Sequence, residues 1–201
     1  FNEDKIPIPI DPFVIANDAV ECYLKLSHEQ FGLRYNIVRP HNVLGIYQNI
    51  WDRYRNVIGI FIRKALNGQP ILVYGDGEQT RAFSDIKYYM EPFDKLLTGH
   101  DGETFNIGAD KHFTLNEVAT TVQTIASKHG YEVPIEHGEP RHEVKHAYCD
   151  HTKAKNLLNF EDNTNLTELI ESMFVWAMKQ PNRKVKDMEY EVTKDIYDYW
   201  K

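Results

Sequence analysis

Apolar residues recur along the chain with two spacings. Between residues 12 and 30, Ile15, Ala19, Cys22, Tyr23 and Leu26 repeat at three-and-four intervals, the signature of one helix face. Pro12 suits the first helical turn and Phe31-Gly32 suits its end. Tyr35 to Arg39 reads as a short buried strand, and residues 40–55 as a polar loop carrying Tyr47, Trp51 and Tyr54. The pattern then predicts a helix over Val57 to Leu66, ended by Asn67-Gly68, and a strand over Ile71 to Tyr74. Asp76-Gly77 signals a turn, with Arg81 to Ile86 as the returning strand of a hairpin.

Residues 87–98 read as helical and Thr104 to Ile107 as a strand. Thr114 and Glu117 form a capping box that opens a helix to about Lys128. A strand over Val133 to Glu136 follows, then a polar, histidine-rich stretch over 137–146. Asp150 introduces a short helix containing Lys153, Ala154 and Leu157, and Asn165 caps another over Leu166 to Met178. The remainder is a charged aromatic tail with Tyr190, Tyr197, Tyr199 and Trp200. Strands alternating with helices place the chain in the α/β class.

Composition narrows the function. With 42% hydrophobic and 26% charged residues in 201, the chain has the make-up of a folded globular protein, not of a disordered one. No apolar run approaches the roughly 20 residues of a membrane helix. The net charge of −7 disfavours a phosphate-backbone partner, so no nucleic acid is expected. Cys22 and Cys149 are the only cysteines, too few for a disulfide scaffold, and a reducing cytoplasmic compartment fits them. The chain opens on Phe1 with no basic segment before an apolar core, so it reads as a piece of something longer and not as a secretory leader.

Few local motifs carry chemistry alone. Gly75-Asp76-Gly77-Glu78-Gln79-Thr80 has two of the glycines of a dinucleotide fingerprint but lacks the third, and a strand pattern follows it. A hairpin turn is the better reading. Neither GxxxxGK[ST] nor GxSxG occurs. His137, His142, His146 and His151 cluster without an HExxH arrangement, which favours solvated or substrate-facing histidines over a metal site. Arg81 follows the glycine turn, and Arg141 follows Pro140. Two such guanidinium forks on separate loops could clamp a diphosphate, although surface ion pairing is the commoner fate of arginines.

Four ordered segments change that balance. Arg39-Pro40-His41-Asn42-Val43-Leu44-Gly45, the run Tyr74 to Phe83, Phe105-Asn106-Ile107-Gly108, and Pro140-Arg141 through Asp150 to Lys153-Ala154 resemble motifs of the extended short-chain dehydrogenases. This is the NAD-dependent nucleotide-sugar epimerase and dehydratase family, and the wording is most similar to UDP-glucose 4-epimerase-like members. The resemblance implies the end of a Rossmann domain over residues 1–40, a small α/β nucleotide-sugar-binding domain over 41–180, and an unassigned tail over 181–201. It implies NAD as the family's cofactor, with the glycine fingerprint lying outside this stretch, so NAD is not expected to be bound by this chain alone. It implies a UDP-sugar as the partner gripped by Asn42, Gln79, Arg81, Arg141 and Asp150. It also implies a homodimer through the 12–31 helix.

The same resemblance exposes a departure. The family's helix carries YxxxK and a glutamate eight residues beyond the tyrosine. Glu21 matches that glutamate, but Phe13 stands at the tyrosine position and Asn17 at the lysine position. Phenylalanine exchanges no proton and asparagine carries no charge, and general base catalysis is worth roughly 10² to 10⁴-fold. No catalytic residue is therefore expected. Where the family has a tyrosine and paired acids, the chain reads Ser84-Asp85-Ile86-Lys87-Tyr88-Tyr89. The resemblance thus implies an epimerase/dehydratase family protein whose substrate-binding part is inactive by itself. The alternative is a non-catalytic nucleotide-sugar-binding or scaffold module.

Overall fold

The structure is a computed structural model that describes residues 2–4, 12–52, 56–141, 144–181 and 183. Its elements in chain order are α1 (Pro12–Phe31), β1 (Ile37–Pro40), β2 (Val43–Leu44), α2 (Val57–Leu66), β3 (Ile71–Tyr74), β4 (Thr80–Ala82) and β5 (Ser84–Asp85). A 3-10 turn (Ile86–Tyr89) leads into α3 (Met90–Thr98). Then come β6 (Thr104–Ile107), β7 (His112–Thr114), α4 (Leu115–Lys128), β8 (Ile135–Gly138), β9 (His146–Ala147), α5 (Thr152–Leu158) and α6 (Leu166–Met178). The expected tail, the residues before Pro12 other than 2–4, and His142 lie outside the described residues.

Local signals explain why most of these elements form. Asn56 caps α2 by accepting from the Ile58 N–H. Thr114 and Glu117 close the capping box of α4. Asn165 accepts from the Glu168 N–H at the start of α6. Each of these bonds satisfies an end donor that the helix itself leaves unpaired. Gly32, with φ of 69°, accepts the left-handed turn that ends α1.

The strands pair in small sets. β1 runs parallel to β6, β2 to β5, and β3 to β8, while β4 lies between antiparallel β7 and parallel β9. The expected hairpin is not present. β3 and β4 join different sheets, so the Gly75–Gly77 turn carries the chain from one sheet to another. β6, from the stretch read as the nucleotide-sugar domain, pairs with β1 of the stretch read as a Rossmann remnant.

Two cores hold these pieces. The larger packs Ile58, Phe61 and Ile62 of α2 against Val118, Val122 and Ala126 of α4 and Ile170, Met173 and Phe174 of α6, over Ile71 and Val73 of β3. The smaller gathers Phe105 and Ile107 of β6 with Tyr89, Ala154, Leu158 and Phe160.

The face of α1 that packs is not its apolar one. Ser27 is its only buried residue, while Ile15, Tyr23 and Leu26 of the expected apolar stripe stay exposed. The half-buried positions Val14, Asp18, Glu21 and Leu24 lie on another face. The fixing contact is polar. Arg39 on β1 donates Nε to Glu21 Oε1 at 2.7 Å and Nη2 to Oε2 at 2.6 Å, a two-pronged ion pair. A fork of this kind is geometrically specific, and it ties α1 to β1.

The carboxyl ends of β1 and β6 meet the first turn of α5 through two histidines. His41 donates its N–H to Ile107 O at 3.1 Å, and its ring stands edge-on to His151 at 5.5 Å between centroids. Burial first, and the neighbouring His151 second, push the His41 pKa down from 6.5 to about 4.

Two tests follow from this packing. Ile170→Ala removes a side chain with no exposure from the larger core and should cost about 2–5 kcal/mol in urea unfolding. Stability should also depend on pH through His41. Above pH 6.5 neither the folded nor the unfolded chain holds its proton. Between 6.5 and 4 only the unfolded chain binds it, so stability falls as pH falls, by about 3 kcal/mol over the whole window. Urea midpoints measured at pH 7.5, 6 and 5 should decline in that order, and His41→Gln should flatten the decline.

Candidate functional site

Strand β4 is the spine of the candidate site. Its register pairs Thr80 with Thr114 and His146, and Arg81 with Phe113 and Ala147. Arg81 is half-buried and donates Nη1 to Thr80 O at 2.9 Å and to Lys145 O at 3.2 Å. The guanidinium is thus braced by the backbone of two adjacent strands' ends. At the far end of β4, Asn42 donates Nδ2 to Ala82 O at 2.9 Å. Asn42 has φ of 39°, a left-handed conformation that asparagine tolerates better than most residues.

Gln79 is buried and donates Nε2 to Tyr74 O at 2.9 Å, which ties the start of β4 to the end of β3. Arg141 lies over the Tyr74 ring with Cζ 3.4 Å from its centroid. A guanidinium over an aromatic face is held by cation–π attraction, and the donors around its rim stay able to meet a ligand oxygen. Gln79 and Arg141 therefore meet at Tyr74, while Arg81 is held at the Lys145 carbonyl before β9. Asp150 is placed differently. It is exposed, its Oδ1 accepts from the Thr152 N–H at 2.8 Å, and these bonds to Thr152 lower its pKa. Its side chain is engaged in starting α5.

Tyr74 is a member of this constellation that the sequence reading did not single out. The usable signal was an aromatic residue at a strand end beside a glycine turn, with an arginine available to stack on it. Asn116 was also missed. Its Nδ2 donates to Asp76 O at 2.9 Å and Glu78 Oε1 at 2.7 Å, fastening the first turn of α4 to the loop before β4.

That contact bears on cofactor binding. The pyrophosphate of NAD needs a glycine-rich turn opening directly into a helix N-terminus. Gly75 and Gly77 do have positive φ, but their turn opens into β4. A Cβ on Gly77 would meet Asn116 Oδ1 at 2.0 Å, so a side chain already fills the notch that a phosphate would occupy. The described residues do not build the dinucleotide cradle.

Nor do the histidines gather into a metal site. His137 Nε2 meets Asn116 Oδ1 at 3.2 Å, His146 Nδ1 meets Thr80 Oγ1 at 2.9 Å, and His151 Nδ1 meets Asp110 Oδ1 at 3.1 Å. Among the described residues no group of three His, Cys, Asp or Glu could hold a metal ion.

The two positions that depart from the family motif lie on α1. Phe13 is 77% exposed, and Asn17 donates Nδ2 to Phe13 O at 2.8 Å, one turn back along its own helix. The amide is thus bonded to its own backbone, and neither side chain supplies a base.

Known proteins resemble this chain in sequence and fold. The model of the NAD dependent epimerase/dehydratase family matches residues 2–108. A putative UDP-glucose 4-epimerase from Methanocaldococcus jannaschii is 31% identical over 176 residues, which cover 87% of this chain and 55% of that protein. The solved UDP-glucose 4-epimerase of Thermotoga maritima, with UDP-glucose, superposes with a TM-score of 0.79 at 30% identity, covering 89% of this chain and 57% of that one. A Bacillus cereus UDP-glucuronic acid 4-epimerase variant, in complex with a fluorinated UDP-glucuronic acid and NAD, gives 0.76 at 25% identity over 87% of this chain and 55% of that one. The chain spans about half the length of the relatives it matches. With more than half of its residues matching the family model, and with its strands and helices superposing on solved epimerases, the chain belongs to the NAD dependent epimerase/dehydratase family.

Proposed function

We propose that this chain grips a nucleotide sugar of the UDP class and does not by itself turn it over. The observation that carries this reading is the contrast between its two halves. On β4 and its flanks, Asn42, Gln79, Arg81 and Arg141 are held by backbone bonds or ring stacking that set their directions before any ligand arrives. Preorganised donors lose less entropy on binding. Arg81 and Arg141 pair with the diphosphate, Asn42 donates its amide to a sugar or phosphate oxygen, and Gln79 keeps Tyr74 beneath Arg141. Asp150 is the weakest member because its carboxylate already serves α5. On α1, by contrast, the proton-transferring pair is replaced by Phe13 and Asn17. NAD belongs to the family's chemistry, and in this reading its site lies outside residues 1–201. Residues 1–40 act as the edge of a cofactor domain and 41–180 as the sugar-nucleotide domain.

Self-association belongs to the same proposal. Phe13, Ile15, Val20, Tyr23 and Leu26 leave one side of a 20-residue helix largely apolar and exposed, a surface of the kind that marks an interface. A homodimer through α1 fits it, in a reducing cytoplasmic setting that suits two free cysteines.

The test of ligand binding is a thermal-shift panel of UDP-glucose, UDP-galactose, GDP-mannose, dTDP-glucose and NAD. A ligand at about 100 times its dissociation constant adds roughly 2.7 kcal/mol, which is about 5–10 °C for a chain of this size. One nucleotide sugar should raise the melting temperature and NAD should not. Arg81→Ala and Arg141→Ala should each remove most of that rise, and no rise with any nucleotide sugar defeats the reading. The double variant Phe13→Tyr, Asn17→Lys should remain without NAD-dependent turnover. Light scattering should give twice the chain mass, reduced to one by Tyr23→Asp.

A further inference from the structure

One buried nitrogen in the described residues has no visible role in the site above. His151 precedes α5, and its side chain is fully buried. Its Nδ1 faces Asp110 Oδ1 at 3.1 Å. A carboxylate only accepts, so Nδ1 carries the hydrogen, and in the neutral ring Nε2 is a bare acceptor. That Nε2 is buried with no hydrogen-bond partner. An unmet buried acceptor is a standing cost to the fold, and such atoms call for an explanation.

The atom faces His41 across Gly108. A Cβ on Gly108 would stand 3.2 Å from His151 Nε2 and 2.9 Å from His41 Cβ, so the two histidines close on the glycine from both sides. His41 in turn is the residue before Asn42. Ser84 holds the two together: its Oγ donates to His41 O at 3.1 Å, and its N–H donates to Asn42 O at 3.3 Å. The Ser84 hydroxyl also lies 2.8 Å from the buried Tyr89 hydroxyl, which donates to Ile107 O. The chain of contact thus runs Asp110, His151, His41, Ser84 and Asn42, from the loop after β6 through the start of α5 to the edge of β4.

We propose that His151 is a positioning residue for Asn42, holding it against β4 through its contact with His41, and that Asn42 is released when His41 takes up a proton. The groups around the pair explain the sign. From the loop after β6 comes Asp110, whose carboxylate also accepts from Lys155 of α5. Burial opposes the charge on Asp110, but Lys155 and His151 outweigh it and hold its pKa down. From the start of α5 comes Asp150, exposed and bonded to Thr152. From the segment after α5 comes Asp162, whose carboxyl is pushed up by burial, and from the 3-10 turn comes Tyr89, pushed up to about 12 by burial. The one anion within hydrogen-bond reach of His151 is therefore already shared with a lysine. A positive charge on His41 meets no carboxylate among the described residues, and the packing around His41 opens instead.

The link to ligand affinity rests on the nucleotide-sugar reading of Asn42, whereas the movement of Asn42 does not. The experiment is an NMR titration of the isotopically labelled full chain from pH 7.5 to 4, with and without UDP-glucose. The Asn42 side-chain amide and the Ser84 backbone amide should shift with the same midpoint as the His41 ring, while the amides of α4 stay still. His151→Gln should raise that shared midpoint by about half a pH unit or more, because His151 is one of the neighbours that hold the His41 pKa down. His41→Gln should abolish the acid transition at Asn42. An Asn42 amide that ignores the His41 titration overturns the proposal, as does a midpoint indifferent to His151→Gln or a transition shared by α4. UDP-glucose, where it binds, should do so about tenfold more weakly at pH 4.5 than at 7. Failure of UDP-glucose to bind at any pH defeats the nucleotide-sugar reading, and the amide titration still decides the positioning role.

Discussion

Everything in the candidate site depends on β4 being held along both edges. A three-residue strand has too few hydrogen bonds to define its own position. Here antiparallel β7 secures one side and parallel β9 the other. Side chains finish the work: Gln79 ties the strand's start to β3, and Asn42 ties its end to the loop after β1. The turn before it is fastened by Asn116 of α4, a helix rooted in the larger core. Arg81 therefore inherits the rigidity of elements distant in sequence, and a fork that is already aimed is what charge-assisted recognition of an oxyanion needs.

The parts of this arrangement that were legible in the sequence were those with local causes. Val57 to Leu66, the Thr114–Glu117 box and the Asn165 cap are set by residues within one or two turns of each other, and these elements form where the pattern puts them. The hairpin expected at Asp76-Gly77 fails for the complementary reason. The turn itself forms, but strand partners are chosen by what else the chain offers. β3 finds β8 more than 60 residues later, and β4 finds β7 and β9. Arg81 and Arg141 could be nominated singly as anion-binding side chains. The Tyr74 ring under Arg141 could not be deduced from spacing, because it requires the 138–147 segment to return past β3.

Helix α1 is tied to β1 by an ion pair and leaves its apolar stripe uncovered. Ile15, Tyr23 and Leu26 of its apolar stripe stay exposed, and the half-buried positions Val14, Asp18, Glu21 and Leu24 lie on another face. The two-pronged Arg39–Glu21 contact makes that tie, and the side-chain exposures of 25% and 15% shield it from the full screening of a surface pair. The apolar stripe is left facing outward. Such a surface is tolerable on a piece of a larger assembly and costly on an isolated body. The same helix thus combines the family's glutamate with an uncovered face and a pair of side chains that cannot move a proton.

The glycine after β6 brings these arguments to one point. In the FNIG segment, Gly108 was legible only as part of a resemblance. In the structure it has a local reason: His41 and His151 approach it so closely that a single methyl would strike both. Sparing that methyl lets α5 dock against the carboxyl ends of β1 and β6, the region of a parallel sheet where ligand-binding crevices form. The two histidines that exploit the gap also connect it to Asn42. A residue with no side chain thereby controls the placement of one of the candidate ligand contacts, and the physical cause is space rather than chemistry.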